Sequence, residues 1–170
     1  MNKPFNHAEE TDKLNAFLAG FDDTHNDFLD QARAEGYDLD ENYSLDGLEA
    51  LERYILNKKA AYQPDSADQR FYVYVHAWYQ LGEIVRENFG GYWAVSEEDP
   101  EPGKWVIKNF KTGTGRHEAE FDPKGMVRRF IRWPGEGVFR RAIGANTDPH
   151  FFDESRARRA AIRDEEANEQ

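Results

Sequence analysis

The sequence has 170 residues, no cysteine and a formal net charge of −11, from 22 basic and 33 acidic residues. The absence of cysteine excludes disulfide bonds, thiol nucleophiles and cysteine-ligated metal centres. Because a protein of this charge repels phosphate backbones, we expect no general nucleic-acid partner, and a basic protein is the better electrostatic match. The chain lacks a signal-peptide core and an apolar run of membrane-spanning length, so we expect a cytoplasmic protein without membrane contact.

The first third of the chain predicts helices. Apolar residues at helical spacing from Glu9 to Ala34 predict one interrupted helix or two short ones, with Gly20 near the interruption. Gly36 is the residue type that closes a helix as a C-cap. Ser44 then stands where an N-cap belongs, ahead of a second helix that extends to about Lys59.

The central stretch predicts a helix that leads directly into a sheet. Residues from Phe71 to Phe89 are apolar on every side at first and form a single apolar stripe later, which predicts a helix whose first half is wholly buried. Gly90 and Gly91 permit the positive φ that ends a helix. The predicted strands that follow are Tyr92 to Ser96, Lys104 to Phe110 and His117 to Phe121.

These elements predict an α+β fold in which helices pack on a small three-stranded antiparallel meander. Asp122 and Pro123 predict the start of another helix, which ends before Pro134, and a short helix follows through Ile143. We predict a single domain over residues 1–150 and a charged tail over 151–170 that is helical or disordered. The residues predicted to face the helices from the sheet are Trp93, Val95, Trp105 and Ile107.

The acidic segment from Asp38 to Glu49 resembles a calcium-binding loop in its residue types and their spacing. It offers oxygen ligands at positions one, three, five, nine and twelve of the twelve-residue EF-hand pattern. Position six requires glycine and is Tyr43 here, and an acidic connector with Ser44 as a helix cap explains the same residues. We therefore assign no metal ligand. A calcium titration would test whether this loop binds calcium.

No pattern predicts catalysis. The histidines are scattered, and His76 falls in the most buried helix, where it is expected to be a hydrogen-bonded core residue. No serine lies in a Gly-x-Ser-x-Gly elbow, and the segment from Thr112 to Arg116 lacks the ending of a phosphate-binding loop. We predict no catalytic residue and no cofactor.

Two features predict a contact surface. Glu83 interrupts an apolar helix, so its carboxylate must be paired or face a cleft, and arginines at 86, 128, 129 and 132 are available partners; we favour a structural ion pair. Arginines beside aromatic residues after position 127 are typical of protein interfaces, but we favour a solvated helix face opposite Phe130 as their explanation. The candidate contact residues are Glu83, Trp93, Trp105, Arg128, Arg129, Arg132 and Trp133.

Three motifs follow one another between Asp40 and Ile143. They are a Tyr-Ser-Leu-x-x-Leu helix start at Tyr43, a Leu-Gly-Glu helix that closes in Gly-Gly-x-Trp93, and a Phe-Asp-Pro123 helix start. This order resembles a widespread group of small uncharacterised bacterial proteins. The resemblance implies an α+β domain without an established activity, and some proteins of this style look like immunity proteins of bacterial toxin systems. This chain departs from the group in its Asp-Pro pair and its charged C-terminal extension.

Two functional hypotheses follow. The first is a non-enzymatic protein-binding module, either toxin-neutralising or regulatory, which meets a protein partner in an oligomeric state that the sequence does not define. The alternative is a small-ligand binder or enzyme with a pocket around Glu83, Trp93 and Arg128. A deep apolar cleft that holds an unpaired Glu83 favours the alternative, whereas a flat acidic surface favours the first hypothesis.

Overall fold

A computed structural model describes residues 5–39, 42–61, 67–98, 101–112 and 119–147. These residues confirm the predicted α+β class, with helices packed against a three-stranded antiparallel sheet of order β1-β2-β3. The helices are α1 (His7–Ala34), α2 (Leu48–Ala61), α3 (Ala67–Phe89), α4 (Pro123–Arg132) and α5 (Val138–Asn146), and the strands are β1 (Tyr92–Val95), β2 (Trp105–Lys108) and β3 (Glu120–Phe121).

The N-terminal helix α1 is continuous over 28 residues, so the predicted interruption is wrong. Glycine inside a helix costs only about 1 kcal/mol relative to alanine, and burial of Leu14 before this exposed glycine and of Phe21 after it holds the helix together. The helix ends as predicted at Gly36, whose φ is +87°. The N–H of Tyr37 donates to the carbonyl of Ala32 at 3.0 Å, which satisfies a carbonyl of the last turn.

The second helix begins with a short 3-10 turn, Leu45–Gly47. Ser44 caps this turn, as predicted, because its hydroxyl accepts from the N–H of Asp46 at 3.2 Å. Tyr43 has a φ of +52°, a left-handed conformation that is costly for a bulky residue. The chain therefore turns sharply just before α2.

The central helix α3 starts at Ala67, four residues earlier than predicted, and its first half is not wholly buried. Phe71 is 67% exposed, while burial becomes continuous only from His76 onwards. Phe71, Tyr74 and Val75 of these turns line a surface groove, whereas Val73 between them is buried in the core. Gly90 and Gly91, with φ of +77° and +96°, then end the helix as predicted and lead the chain into β1.

The strands pair as a meander. Trp93 lies opposite Ile107 and Val95 lies opposite Trp105 across β1 and β2, so these four residues share one face. Val95 and Ile107 are buried, and the two tryptophans are half-buried against the helices, which confirms the predicted inner face. Of the predicted third strand, residues 120 and 121 are paired with β2, and residues 117–118 lie outside the described residues.

Helix α4 is held at both ends. At its start the carboxylate of Asp122 accepts from the N–H of Gly125 at 2.7 Å, and Pro123 occupies the first turn, which confirms the predicted helix start. At its end the ammonium of Lys59, from α2, donates to the carbonyl of Ile131 at 2.7 Å. The position of α4 is therefore fixed by a local cap and by a distant side chain.

Helix α5 is capped by a residue of α2. The carboxylate of Glu52, which is 4% exposed, accepts from the N–H groups of Gly137 at 2.7 Å and Phe139 at 2.6 Å. Burial raises the pKa of this carboxyl group, and the two backbone donors oppose that rise. One helical turn away, Arg140 donates to both oxygens of Glu49, at 2.5 and 2.8 Å. Two carboxylates of α2 thus anchor the start of α5.

We expect Glu52→Ala to lower the free energy of unfolding by about 2 kcal/mol, because it leaves buried backbone N–H groups without an acceptor. Urea denaturation measures this loss, and hydrogen exchange locates it at the amides of Gly137 and Phe139. The matched control is Glu98→Ala, an exposed glutamate in the connection after β1. If the two amides exchange no faster in Glu52→Ala than in the control, Glu52 is not their cap.

One hydrophobic core includes residues from all five helices and from β2 and β3, among them Phe28, Leu51, Ile107, Phe130 and Phe139. The predicted extent of the domain to residue 150 and the predicted tail over 151–170 fall on residues outside the described part and stay predictions. Among the described helices, none has both the length and the apolar character needed to cross a membrane.

Candidate functional site

The carboxylate of Glu83 is buried and fully engaged. Arg86 donates to it through Nη2 at 2.6 Å and through Nε at 3.0 Å, and the indole Nε1 of Trp93 donates to it at 2.6 Å. Hydrogen bonding to Glu83 raises the pKa of the Arg86 guanidinium further, against the effect of burial. The predicted structural ion pair is therefore confirmed, with Arg86 as the partner.

Gly82 allows Trp93 to lie against α3. A Cβ atom at position 82 would come within 2.3 Å of two ring carbons of Trp93, so only glycine leaves room for the indole. The same ring stacks on Tyr79 with an interplanar angle of 3°. The Leu-Gly-Glu and Gly-Gly-x-Trp motifs thus meet in space as one packing unit, in which the glycine receives the ring and the glutamate binds its N–H.

A groove of about 1130 Å³ opens between α1, α3, α4 and the connection from β1 to β2. Its floor is aromatic: Phe17 stacks on Trp78 with ring centroids 5.3 Å apart and contacts Trp105 at 5.1 Å. The indole Nε1 of Trp78 is buried without an acceptor among the described residues, so stacking holds this ring in place. The floor is therefore apolar and built from three separate elements.

Two exposed aromatic side chains line the groove. Phe71 is 67% exposed and Trp133 is 61% exposed, although both are large apolar residues. The guanidinium of Arg132 lies over the ring of Trp133, 4.6 Å from its centroid, which is a cation–π contact. Exposed aromatic surface beside an apolar floor marks an interaction site more often than a plain solvent face.

The groove is locally cationic in an acidic protein. Its described lining residues include three carboxylates and five cationic side chains, the latter being Lys104, Lys124, Arg128, Arg129 and Arg132. Lys104 lies 2.8 Å from a carboxylate oxygen of Glu101 and 3.9 Å from one of Asp122. A side-chain hydrogen bond to Tyr74 raises the pKa of Arg128. These cationic residues form a charged wall of the groove, and its charge is opposite to the net charge of the chain.

The segment from Asp38 to Glu49, which resembles a calcium-binding loop, forms other contacts in its described residues. The bidentate ligand of that pattern would be Glu49, whose carboxylate is bound by Arg140, and this contact lowers its pKa. Residues 40 and 41 lie outside the described part, as do residues 113–116 of the glycine-rich segment. Within the described ranges, no three His, Asp or Glu side chains are grouped to hold a metal ion.

Two histidines meet in the core, which confirms the prediction that His76 is hydrogen-bonded there. Nδ1 of His76 lies 3.1 Å from Nδ1 of His25, and Nε2 of His25 lies 2.7 Å from Oε1 of Gln80. With the oxygen of Gln80 as acceptor, His25 carries its hydrogen on Nε2, and His76 donates from Nδ1. Burial lowers the pKa of His76 to about 3, with a smaller contribution from His25. The His76 ring is therefore neutral near pH 7.

The structure brings together most of the predicted contact residues. Arg128, Arg129, Arg132 and Trp133 line the groove with Trp105, whereas Glu83 and Trp93 do not line it. The contributions of α1 and of the start of α3 were missed, because their apolar residues were interpreted as core. Comparisons with known protein families, with characterised proteins and with solved structures find no match for this chain.

Proposed function

We propose that the protein is a non-enzymatic, cytoplasmic protein-binding module and that the groove is its contact surface. The observation that carries this proposal is the exposure of Phe71 and Trp133 beside an aromatic floor and a row of arginines. Tryptophan, phenylalanine and arginine are enriched at the centres of protein interfaces, where a few such residues supply most of the binding energy. The lining of the groove has this composition.

The energy available from these two side chains is substantial. A phenylalanine or tryptophan side chain buries on the order of 150–250 Å², and more than half of each is in water here. At about 25 cal/mol per Å², covering one of them contributes about 2–3 kcal/mol. Two such contacts offset a considerable part of the entropy lost when two proteins associate. They are the anchors that we expect a partner to cover.

The polar groups of the groove support binding over catalysis. Each of its three described carboxylates already has a partner: Glu10 binds Lys13, Glu101 binds Lys104, and Asp122 caps α4. A general base or nucleophile must be free to meet a substrate. None of the described residues lining the groove is a histidine, serine or threonine. This arrangement supports a surface that holds a partner.

Toxin neutralisation or regulation is the biological setting that we propose for this binding. This part of the proposal is based on the resemblance in motif order to immunity-like bacterial proteins. The net charge of −11 favours a partner that is basic overall, because opposite net charges speed long-range encounter. The local charge of the groove then acts at short range, after encounter.

Small-ligand binding is the second candidate. The volume of about 1130 Å³ is comparable with the largest common ligand pockets, which span roughly 300–1000 Å³. The paired state of Glu83, with Trp93 and Arg86, does not support the version of this alternative that places a pocket around Glu83. A ligand would therefore have to use the groove itself.

Site-specific photocrosslinking in the native host tests the proposal. A photoreactive benzoylphenylalanine at position 71 is expected to give one discrete, heavier protein adduct after irradiation. The matched control carries the same residue at position 92, because Tyr92 is 54% exposed and lies outside the groove. Equal adducts at both positions, or no protein adduct at position 71, would contradict the groove as a protein-binding surface. An adduct of only small-molecule mass would support the second candidate.

A further inference from the structure

We propose that the groove binds an acidic segment of the partner protein. An apolar side chain of that segment lies on the aromatic floor, and its carboxylates bind Arg129 and Arg132. This inference rests on the proposed function and adds the chemistry of the part of the partner that docks. It concerns the docking segment alone, so it is compatible with a partner whose net charge is positive.

Some of the cationic side chains in the groove already interact with described neighbours, and others do not. Lys104 is paired with Glu101, and Arg128 is hydrogen-bonded to Tyr74 and interacts with the charges of Asp122 and Glu101. Arg129 and Arg132 form no ion pair with any carboxylate of the described residues. An uncompensated pair of guanidinium groups attracts carboxylates and repels basic segments, and the discrimination is strongest where bound apolar groups exclude water.

The spacing of these two arginines on α4 also favours a carboxylate ligand. Arg129 and Arg132 are three residues apart on α4, so they occupy the same side of the helix and both line the groove. The guanidinium carbon of Arg132 lies 4.6 Å from the centroid of the Trp133 ring, and this cation–π contact favours its position beside the groove. The edge of a guanidinium forms paired hydrogen bonds with a carboxylate. The wall thus suits acidic groups spaced along one side of a segment.

The apolar floor of the groove favours a segment that also carries large apolar side chains. Phe71, Trp133, Trp78 and Trp105 line the same groove as the arginines. A purely anionic ligand would leave these rings without contact, whereas a segment that alternates acidic and large apolar side chains satisfies both surfaces. Such a segment is the amphipathic type that binds grooves in proteins through spaced anchors.

Fluorescence anisotropy with labelled peptides tests the inference on the full chain. The probes are three amphipathic peptides of equal length, built from leucine and phenylalanine anchors with glutamate, glutamine or lysine at all other positions. We expect the glutamate peptide to bind at least tenfold more tightly than the lysine peptide. The charge-reversed variant Arg129→Glu/Arg132→Glu is expected to invert this order. The control Arg33→Glu/Arg53→Glu makes the same change of net charge outside the groove, and we expect it to keep the wild-type order.

Three outcomes would overturn the inference. The first is a lysine peptide that binds as tightly as the glutamate peptide, or no binding of any peptide at about 1 mM, the weak end of specific association. The second is an unchanged order in the charge-reversed variant. The third is tight binding only after Phe151→Ser/Phe152→Ser, which would assign the groove to residues 148–170 of the same chain, where Phe151 and Phe152 precede two acidic residues. Any of these results, together with a protein adduct at position 71, would leave the proposed function standing.

Discussion

Gly82→Ala is expected to lower the free energy of unfolding by about 3 kcal/mol, at the upper end of overpacking effects in protein cores. The added methyl group would lie 2.3 Å from ring carbons of Trp93 and 3.2 Å from Pro123. The indole cannot retreat freely, because its N–H is bound to Glu83 and its face stacks on Tyr79. The substitution therefore also weakens a buried hydrogen bond, which increases the loss.

Urea denaturation followed by tryptophan fluorescence measures this loss. The matched control is Gly20→Ala, because Gly20 lies inside α1 with no atom within 4 Å of an added Cβ. Alanine is the better helix former, so we expect this control to raise the free energy of unfolding by about 0.5–1 kcal/mol. In a Trp93→Leu background the cost of Gly82→Ala should shrink, because the two positions are in contact. Equal costs with and without Trp93 would show that this ring is not the obstacle.

The buried histidine pair predicts a pH dependence of stability. His76 has a pKa of about 3 when folded, and a free histidine has a pKa of about 6.5. Between these values the unfolded chain binds one proton more than the folded chain, so stability falls as the pH falls. We expect a loss of about 1.4 kcal/mol for each pH unit below 6.5 from this group. Above pH 6.5 the ring is neutral in both states, and the effect vanishes.

His76→Phe isolates this contribution. The phenyl ring keeps the stacking on Phe21 and the tilted contact with Tyr72, whose centroids lie 4.4 and 4.3 Å from the His76 ring. We expect the slope of stability against pH, measured by urea denaturation between about pH 5 and 6, to decrease by about 1.4 kcal/mol per unit relative to wild type. Ile84→Val, a buried change without a titrating group, should shift the curve without changing its slope. Parallel curves for wild type and His76→Phe would refute this assignment.

Local signals account for the parts of the fold that the sequence predicted well. The Asp122 cap, the glycine pair after α3 and the alternation in the strands each depend on residues that are close in the chain. The interactions that determine these features all lie within one helical turn or one hairpin. Gly20 was misleading because burial on both sides of it outweighs the small local cost of a glycine.

The groove depends on contacts that no local pattern contains. Phe71 stands at the start of an apolar helix, and only the packing of α3 on α4 and α1 decides that its first turns stay at the surface. The arginines of α4 were recognised because arginine beside tryptophan is conspicuous in any context. Glu83 was recognised as paired, but the choice of Arg86 over the arginines of α4 required the geometry.

The double anchoring of α4 bears on how quickly the proposed partner would be recognised. With Asp122 fixing one end and Lys59 the other, the arginines of this helix are carried on a backbone that is held in place before the proposed partner binds. A surface of this kind loses little conformational freedom on association and needs no slow rearrangement before docking. Encounter itself then sets the association rate, so salt in the medium, which screens charge, becomes the main control on the speed of binding.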